Sequence, residues 1–253
     1  MTLRTEIDSH LGTLLDVGKF RDYGPNGLQV EGKPGIRRIV SGVTASRALI
    51  EAAVEREADA LLVHHGLFWK GHDGRITGWL KARIELLLAH RINLFAYHLP
   101  LDAHPQLGNN AQLGAKLKFT ADGRFGDQDL GFIGSPAQPL TVAALTALLT
   151  YRLGRPPVVV DGSGASSAHS LNRVAWCTGG AQSYFEAAIA AGAEVFITGE
   201  ISEPQAHLAR ETGVVFMACG HHATERYGAQ ALGMHLAERF GLEHEFIDID
   251  NPA

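Results

Sequence analysis

The chain has 253 residues, of which 45% are hydrophobic and 19% charged, and its formal net charge is -5. This composition is typical of a globular α/β protein with a sizeable core, and no run of about 18 apolar residues is present that would span a membrane. The acidic balance disfavours a broad nucleic-acid surface, which needs clustered Lys and Arg.

The chain begins with a predicted amphipathic helix over residues 4–16. Charged residues recur at helical spacing there, and a signal peptide would need an apolar core instead, so we expect a cytoplasmic protein. A dense turn signal at residues 23–27 precedes a short strand. The next predicted strands are 36–43, 60–63 and 93–97, and the next helices are 45–56, 76–90 and 109–118.

The second half of the chain repeats this rhythm after a connector at residues 120–126 that is rich in Gly and Asp. A Gly/Ser loop is predicted at residues 161–167. The predicted strands are 130–133, 157–160, 172–177, 194–198, 214–219 and 243–249, and the helices are 141–153, 182–191, 203–211 and 223–240. Such alternation favours βαβ units and mainly parallel sheets. We therefore expect two α/β domains, residues 1–126 with 213–253, and an inserted domain of residues 127–212.

Three short polar clusters follow predicted strands: His64-His65, Asp102 and His221-x-x-x-Glu225. Imidazole nitrogens and carboxylate oxygens together suit zinc, iron, manganese or nickel. Each cluster alone could be a set of scattered polar groups at a strand end. All three come after apolar strands, however, so we expect them to converge at one sheet edge and to hold metal.

The spacing inside the clusters favours a dinuclear site. Neighbouring side chains of a regular strand point to opposite faces, so His64 and His65 reach one ion only if the chain leaves the sheet near Gly66. Otherwise, each imidazole serves a different ion. His221 and Glu225 are one helical turn apart and share a face.

Other residues have two interpretations each. Cys177 and Cys219 are expected to be buried free thiols, although Cys219 is near enough to His221 to lie beside the metals. Residues 178–182 form either a phosphate-binding loop or a plain tight turn. Phe68 and Trp69 either stack on a substrate ring or pack in the core or between subunits.

Four segments resemble a known family. They read HHGLFW from His64, YHLPLD from Tyr97, GHHATE from Gly220 and FIDIDNP from Phe246. They are similar to the YbgI-like dinuclear metal proteins, also called NIF-three-like proteins or GTP cyclohydrolase 1 type 2 homologues, over essentially the whole chain.

The resemblance implies the NIF-three-like fold of two α/β domains, a toroidal homohexamer and pairs of divalent ions in the clefts. By matching motif positions, it implies that the metal ligands are His64, His65, Asp102, His221 and Glu225. It implies that His98 and His222, which stand in the same motifs, lie beside these ligands.

The chemistry that follows is hydrolysis. Two divalent ions carry about four positive charges, of which two carboxylates offset only half, so anionic ligands such as nucleotide phosphates would be attracted. Open coordination positions would hold water, and a metal-bound hydroxide would be the nucleophile. Glu200 and His98 are the candidates for proton transfer, and Glu200 has a hydrogen-bond acceptor role as its alternative.

The family label suggests GTP as the substrate, although nothing in the sequence reads a guanine base and no Walker A loop is present. Two other functions stay open. One is a metal carrier or cofactor-assembly protein without turnover, whose ions are cargo. The other is an interaction protein that keeps metal only for stability.

Overall fold

The computed structural model describes residues 1–162 and 170–253, so most of the loop predicted at 161–167 lies outside the described residues. The helices are α1 (Arg4–Leu14), α2 (Arg47–Glu55), α3 (Gly78–Ala89), α4 (Leu99–Ala103), α5 (Asn109–Leu117), α6 (Val142–Leu153), α7 (Phe185–Ala190), α8 (Glu203–Thr212) and α9 (His221–Phe240). The strands are β1 (Thr2–Leu3), β2 (Gly27–Val30), β3 (Gly35–Ile36), β4 (Arg38–Thr44), β5 (Ala60–His65), β6 (Asn93–Ala96), β7 (Phe119–Phe125), β8 (Gly131–Pro136), β9 (Val158–Val160), β10 (Val174–Trp176), β11 (Val195–Thr198), β12 (Val215–Ala218) and β13 (Glu243–Phe246). Within the described ranges, no helix is both long enough and apolar enough to cross a membrane.

The chain forms two compact α/β units, as expected for this fold class. The first comprises Met1–Gly108 with Arg226–Asp250, and the second comprises Asn109–Glu225 with Asn251–Ala253. These limits differ from the predicted domain boundaries at 126/127 and 212/213. The reason is strand pairing, because β7 pairs with β8 and β12 pairs with β11, which places both strands in the second unit.

The first unit is built on a five-stranded sheet in the order β13-β4-β5-β6-β2. All neighbours are parallel except β2, which runs antiparallel to β6. Alternate residues of β5 enter different cores: Leu61 and Val63 pack with residues of α2 and α3, whereas Ala60 and Leu62 pack with residues of α1 and α9. Because side chains alternate between the two faces of a strand, this pattern shows that both faces of the sheet are covered.

The second unit contains a mixed six-stranded sheet in the order β7-β8-β10-β11-β12-β9. Only β10, β11 and β12 are parallel neighbours, so the prediction of mainly parallel sheets holds for the first unit alone. Its core is aromatic, and the Phe185 and Phe216 rings meet edge to face with their centroids 4.9 Å apart.

The predicted connector at residues 120–126 is wrong, because residues 120–125 belong to β7 and only Gly126 lies beyond its end. Phe119 and Phe125 are buried at the two ends of the strand, while residues 120–122 are exposed. The register shifts between Ala121 and Gly123, as at a β-bulge. An edge strand with a bulge tolerates the Asp and Gly residues that made the sequence read as a loop.

Candidate metal centre

His64 and His65 are the last two residues of β5, and their rings lie close together. The strand continues to His65, which pairs with Thr44 and directly precedes Gly66, so both histidines still belong to the strand. The two ring centroids are nevertheless only 4.6 Å apart, with planes inclined by 45°. At this strand end the rings therefore do not point to opposite sides of the sheet.

The tautomer of His64 is fixed by the backbone of Tyr97, the residue after strand β6. Nδ1 of the fully buried His64 lies 2.9 Å from the Tyr97 carbonyl oxygen. A carbonyl only accepts hydrogen bonds, so Nδ1 carries the proton and Nε2 of the neutral ring has the lone pair. Nε2 lies 3.5 Å from Oδ1 of Asp102.

His98 joins the two histidines of β5. One ring nitrogen from each of His64, His65 and His98 lies within 4.8 Å of the others, and a group of this kind can hold a metal ion. Nδ1 of His98 lies 2.7 Å from Oδ1 of Asp22, a carboxylate that the sequence interpretation did not select. Burial raises the pKa of Asp22, but the hydrogen bonds that it accepts, first of all from His98, outweigh burial and lower the pKa below its ordinary value.

Asp102 lies in the short helix α4, which follows strand β6. Pro100 stands in the first turn of this helix, where a missing N–H costs nothing and the fixed φ favours helix. The Asp102 amide donates to the carbonyl oxygen of His98 at 3.1 Å. Asp102 is buried, so α4 brings an enclosed carboxylate next to His64.

In the second unit, His221 is held between two carboxylates. Its Nδ1 lies 2.6 Å from Oε1 of Glu200, and its Nε2 lies 3.2 Å from Oε2 of Glu225. The 3.2 Å contact confirms that His221 and Glu225 share a face of α9. Burial lowers the pKa of His221, but Glu225 and Glu200 outweigh burial and raise the pKa to about 9. A metal ion on Nε2 would thus replace a proton.

Gly179, after β10, and Gly199, after β11, leave room for the His221 and Glu225 side chain and backbone atoms beside them. Gly179 has φ of +70°, and a Cβ built there would overlap Oε1 of Glu225. The amide of Thr178 donates to the Asn110 side chain, and the amide of Gly179 donates to the Thr224 hydroxyl. Because these two donors are already used, the contacts favour the tight turn over the phosphate-binding loop at residues 178–182.

Cys219, Phe68 and Trp69 contact other groups of the protein. Cys219 is buried and its Sγ donates to the Met217 carbonyl at 3.9 Å. Burial raises the pKa of its thiol to about 12, which disfavours the thiolate that a metal needs. The edge of the Trp69 ring meets the His98 ring at a centroid distance of 5.1 Å. The adjoining cavity, lined by Trp69 and Phe68, has a volume of about 10 Å³, which fits one water and no substrate ring.

The sequence indicates the turns in which Asp22 and Gly179 lie, but not the contacts that these two residues make. Asp22 directly precedes the predicted turn at residues 23–27, where Asp often binds local backbone N–H groups. Gly179 belongs to a Gly-Gly pair after a strand, which predicts a turn but not the carboxylate that it accommodates.

The comparisons with known proteins agree with the resemblance seen in the sequence. A family model described as Duf34/NIF3 (NGG1p interacting factor 3) matches residues 2–252. A Neisseria meningitidis serogroup A protein is 53% identical over 253 residues, with 100% of both chains covered, and a Pseudomonas aeruginosa protein is 51% identical over 255 residues, covering 100% of this chain and 98% of its own. Both are called "GTP cyclohydrolase 1 type 2 homolog".

Solved structures give the same result. A protein called ybgI has a TM-score of 0.95 at 48% identity, and a protein from Thermus thermophilus has a TM-score of 0.90 at 34% identity. Each comparison covers 100% of this chain and 100% of the other. The family model, the relatives and the solved structures all match this chain over nearly its full length. This chain therefore belongs to the DUF34/NIF3 family.

Proposed function

We propose that this protein is a metal-dependent hydrolase of the GTP cyclohydrolase 1 type 2 kind, acting on a small anionic, nucleotide-like substrate. The observation that carries the proposal is the group of His64, His65 and His98, with ring nitrogens within 4.8 Å of one another. Such nitrogens, together with carboxylates, are the donors that hold catalytic metals. The name shared by the relatives supports the cyclohydrolase kind of reaction.

The donors present fit a divalent transition metal. The Tyr97 carbonyl and the Asp22 carboxylate hold the Nδ1 protons of His64 and His98, which leaves Nε2 of each ring as a Lewis base. Nitrogen and oxygen donors suit zinc, iron, manganese or nickel. We propose that two such ions are held by the ligands that the resemblance implies, which are His64, His65, Asp102, His221 and Glu225.

When bound, the ions would lower the pKa of water to about 7 and polarise the bond to be cleaved. Asp102 and Glu225 offset only part of the metal charge, and the surplus favours an anionic substrate. For proton transfer, His98 would use Nε2, since Asp22 holds its Nδ1. Glu200 would use Oε2, because the 3.3 Å hydrogen bond that Oε2 accepts from Nε2 of Gln182 is longer than the 2.6 Å contact of Oε1 with His221.

The proposal is tested by turnover of defined substrates. The metal-stripped protein is reloaded separately with each of the four metals and incubated with GTP, other nucleotides and simple phosphoesters. Chromatography follows substrate loss and new products. We expect turnover of a nucleotide with at least one metal, and its loss in Asp102→Asn. An absence of turnover throughout, with transfer of metal to an apo acceptor protein, would reject the hydrolase in favour of a carrier.

The ligand set is tested independently of turnover. Glu225→Gln keeps the size of the buried side chain but removes its charge, so we expect metal content well below the wild-type value, which should approach two ions per chain. Glu211→Gln, at an exposed position of α8, is the matched control. Equal metal content in the two variants would reject Glu225 as a ligand.

The assembly and location that we predicted are also proposals. A toroidal hexamer would give about six times the chain mass in light scattering. A monomer or dimer at all protein concentrations would reject the hexamer. Cell fractionation tests the proposed cytoplasmic location.

A further inference from the structure

Asp22 is an enclosed carboxylate that holds the ring of His98. Its side chain is only 4% exposed, and Oδ1 lies 2.7 Å from Nδ1 of His98. A carboxylate only accepts hydrogen bonds, so Nδ1 of His98 carries a proton. Nε2 of the neutral ring then has the lone pair.

The turn around Asp22 also fixes the backbone beside His98. Oδ2 of Asp22 accepts from the amide of Leu99 at 2.9 Å and from Nδ2 of Asn26 at 2.8 Å. Oδ1 of Asn26 in turn accepts from the amide of His98 at 2.7 Å. The amide of Tyr23 donates to Oδ1 of Asp22 at 2.6 Å. Each carboxylate oxygen therefore accepts two hydrogen bonds, one of which comes from His98 at Oδ1 and from Leu99 at Oδ2.

The position of the ring is restricted on its other sides as well. The His98 ring centroid lies 5.0 Å from that of His64 and 5.6 Å from that of His65. The Trp69 ring stands at 88° to it, with the centroids 5.1 Å apart. With Nδ1 held by Asp22, the atom that remains for the three-histidine group is Nε2.

We propose that Asp22 is a positioning residue: it keeps His98 in the Nδ1–H tautomer, so that Nε2 presents a lone pair to the group formed with His64 and His65. This inference rests on the metal-binding part of the proposed function and not on turnover: it adds Nε2 of His98 to the metal donors, in which case proton transfer falls to Glu200. A carboxylate that orients a histidine in this way typically changes metal affinity by about 10–100-fold when it is lost.

The informative substitution is Asp22→Asn. Two fixed donors, the Leu99 amide and Nδ2 of Asn26, face the Oδ2 position, whereas the Tyr23 amide is the one fixed donor named at the Oδ1 position, so the oxygen of the introduced amide is favoured at Oδ2. The amide NH2 then faces Nδ1 of His98 and donates to it, which stabilises the opposite tautomer, with the proton on Nε2. The same exchange of Asp for Asn in a serine protease triad yields the wrong histidine tautomer.

The test combines a spectroscopic and a binding measurement. Nitrogen-15 NMR of the histidine side chains in metal-free protein reports the tautomer, and the signal of His98 is identified by its loss in His98→Gln. Competition with a chelator gives the Zn²⁺ affinity. We expect Nδ1–H in the wild type, Nε2–H in Asp22→Asn, and a 10–100-fold weaker Zn²⁺ affinity in that variant. Asp73→Asn, in an exposed turn, is the control for loss of an acidic residue and should match the wild type.

Two results would overturn the proposal. One is Nε2–H in wild-type His98, a measurement that does not depend on the folding of Asp22→Asn. The other is an unchanged Zn²⁺ affinity in a folded Asp22→Asn whose His98 has switched tautomer. If the tautomer and affinity behave as expected but no substrate is turned over, the hydrolase proposal fails and the positioning role of Asp22 stands.

Discussion

Glu200 accepts a 2.6 Å hydrogen bond from Nδ1 of His221, on the side of the ring opposite Glu225. This contact favours the acceptor role that was one of two interpretations of Glu200 from sequence. A carboxylate in this place fixes the ring orientation and makes Nε2 a stronger ligand.

Replacing Glu200 with Gln should therefore weaken metal binding by about 10–100-fold, because the His221 ring loses its charged acceptor. Isothermal titration of the metal-free protein with Zn²⁺ measures the change, and Glu211→Gln is the matched control. If the affinity stays constant while the turnover rate falls, Glu200 acts in proton transfer instead.

Gly179→Ala should disturb Glu225, because the added Cβ would overlap Oε1 of that carboxylate. Gly192 is a matched control, since its φ is +83° and a Cβ there meets nothing within 4 Å. Both variants carry the backbone penalty of a left-handed residue, about 1–2 kcal/mol. We expect urea unfolding to show a larger loss for Gly179→Ala, and elemental analysis to show reduced metal only in that variant. Equal effects of the two substitutions would contradict the role of Gly179.

His10 and His235 should make the stability of the first unit sensitive to acid. Their Nε2 atoms are 2.8 Å apart, and the rings are inclined by 11° with centroids 5.1 Å apart. The centroid distance is about the Nε2–Nε2 distance plus two ring radii, so the rings lie end to end and share one N–H···N hydrogen bond. Protonation of both rings would place two N–H groups against each other.

The direction of the pH effect follows from the lowered pKa of His10. Burial lowers it, and His235 and Arg239 lower it further. Burial and then His235 also lower the pKa of His104. The unfolded chain thus binds more protons below its histidine pKa of about 6.5, and stability falls as the pH drops from there towards the lower folded-state values. We expect the urea midpoint to fall between pH 7.5 and 5.5, and to fall less in His10→Gln than in the exposed control His90→Gln. The same pH dependence in both variants would contradict this explanation.

Asp59 should stabilise the first unit at neutral pH. This buried carboxylate pairs with Lys33 at 2.7 Å and accepts the amides of Arg37 and Arg38 at 2.9 and 3.3 Å. Burial raises its pKa, but these partners, first of all Lys33, outweigh burial and lower the pKa below its ordinary value. The stabilisation is therefore present above the unfolded-state pKa of about 3.9 and is lost as the pH falls through the lower folded-state value. Asp59→Asn should cost about 1–3 kcal/mol at pH 7 and progressively less below pH 4, as measured by urea unfolding. A penalty that does not change with pH would show that the charge is not responsible.

Periodicity predicted most of the elements. The strand after α2 was expected at 60–63 and is β5, and the helix expected at 141–153 is α6, where Thr141 caps the N-terminus through the amide of Ala144 and Gly154 ends the helix with φ of 76°. Local sequence predicts such caps, because the capping residue lies next to the helix that it ends. The prediction of a connector at residues 120–126 failed because a tertiary contact decides the structure there. Pairing with β8 overrides the turn-like composition of this segment.

The candidate metal donors could be selected from residue type and position, but their hydrogen-bond partners could not. His64, Asp102 and His221 each follow an apolar run that is predicted to be a strand, and the sequence alone shows this pattern. The Tyr97 carbonyl has no side-chain signature, and Asp22 is 76 residues away from His98 in sequence. Contacts that depend on where two distant segments pass each other can be seen only once the fold is known.

The alternation along β5 has a consequence for how this protein can vary. Val63 and Leu61 can be exchanged for other aliphatic residues of similar volume at modest cost. Removing any single residue of the strand would instead exchange its two faces, place the wrong imidazole against the Tyr97 carbonyl and bury residues meant for the other layer. Homologous chains should thus exchange aliphatic residues in this strand while keeping its length invariant, and insertions should accumulate in the loops.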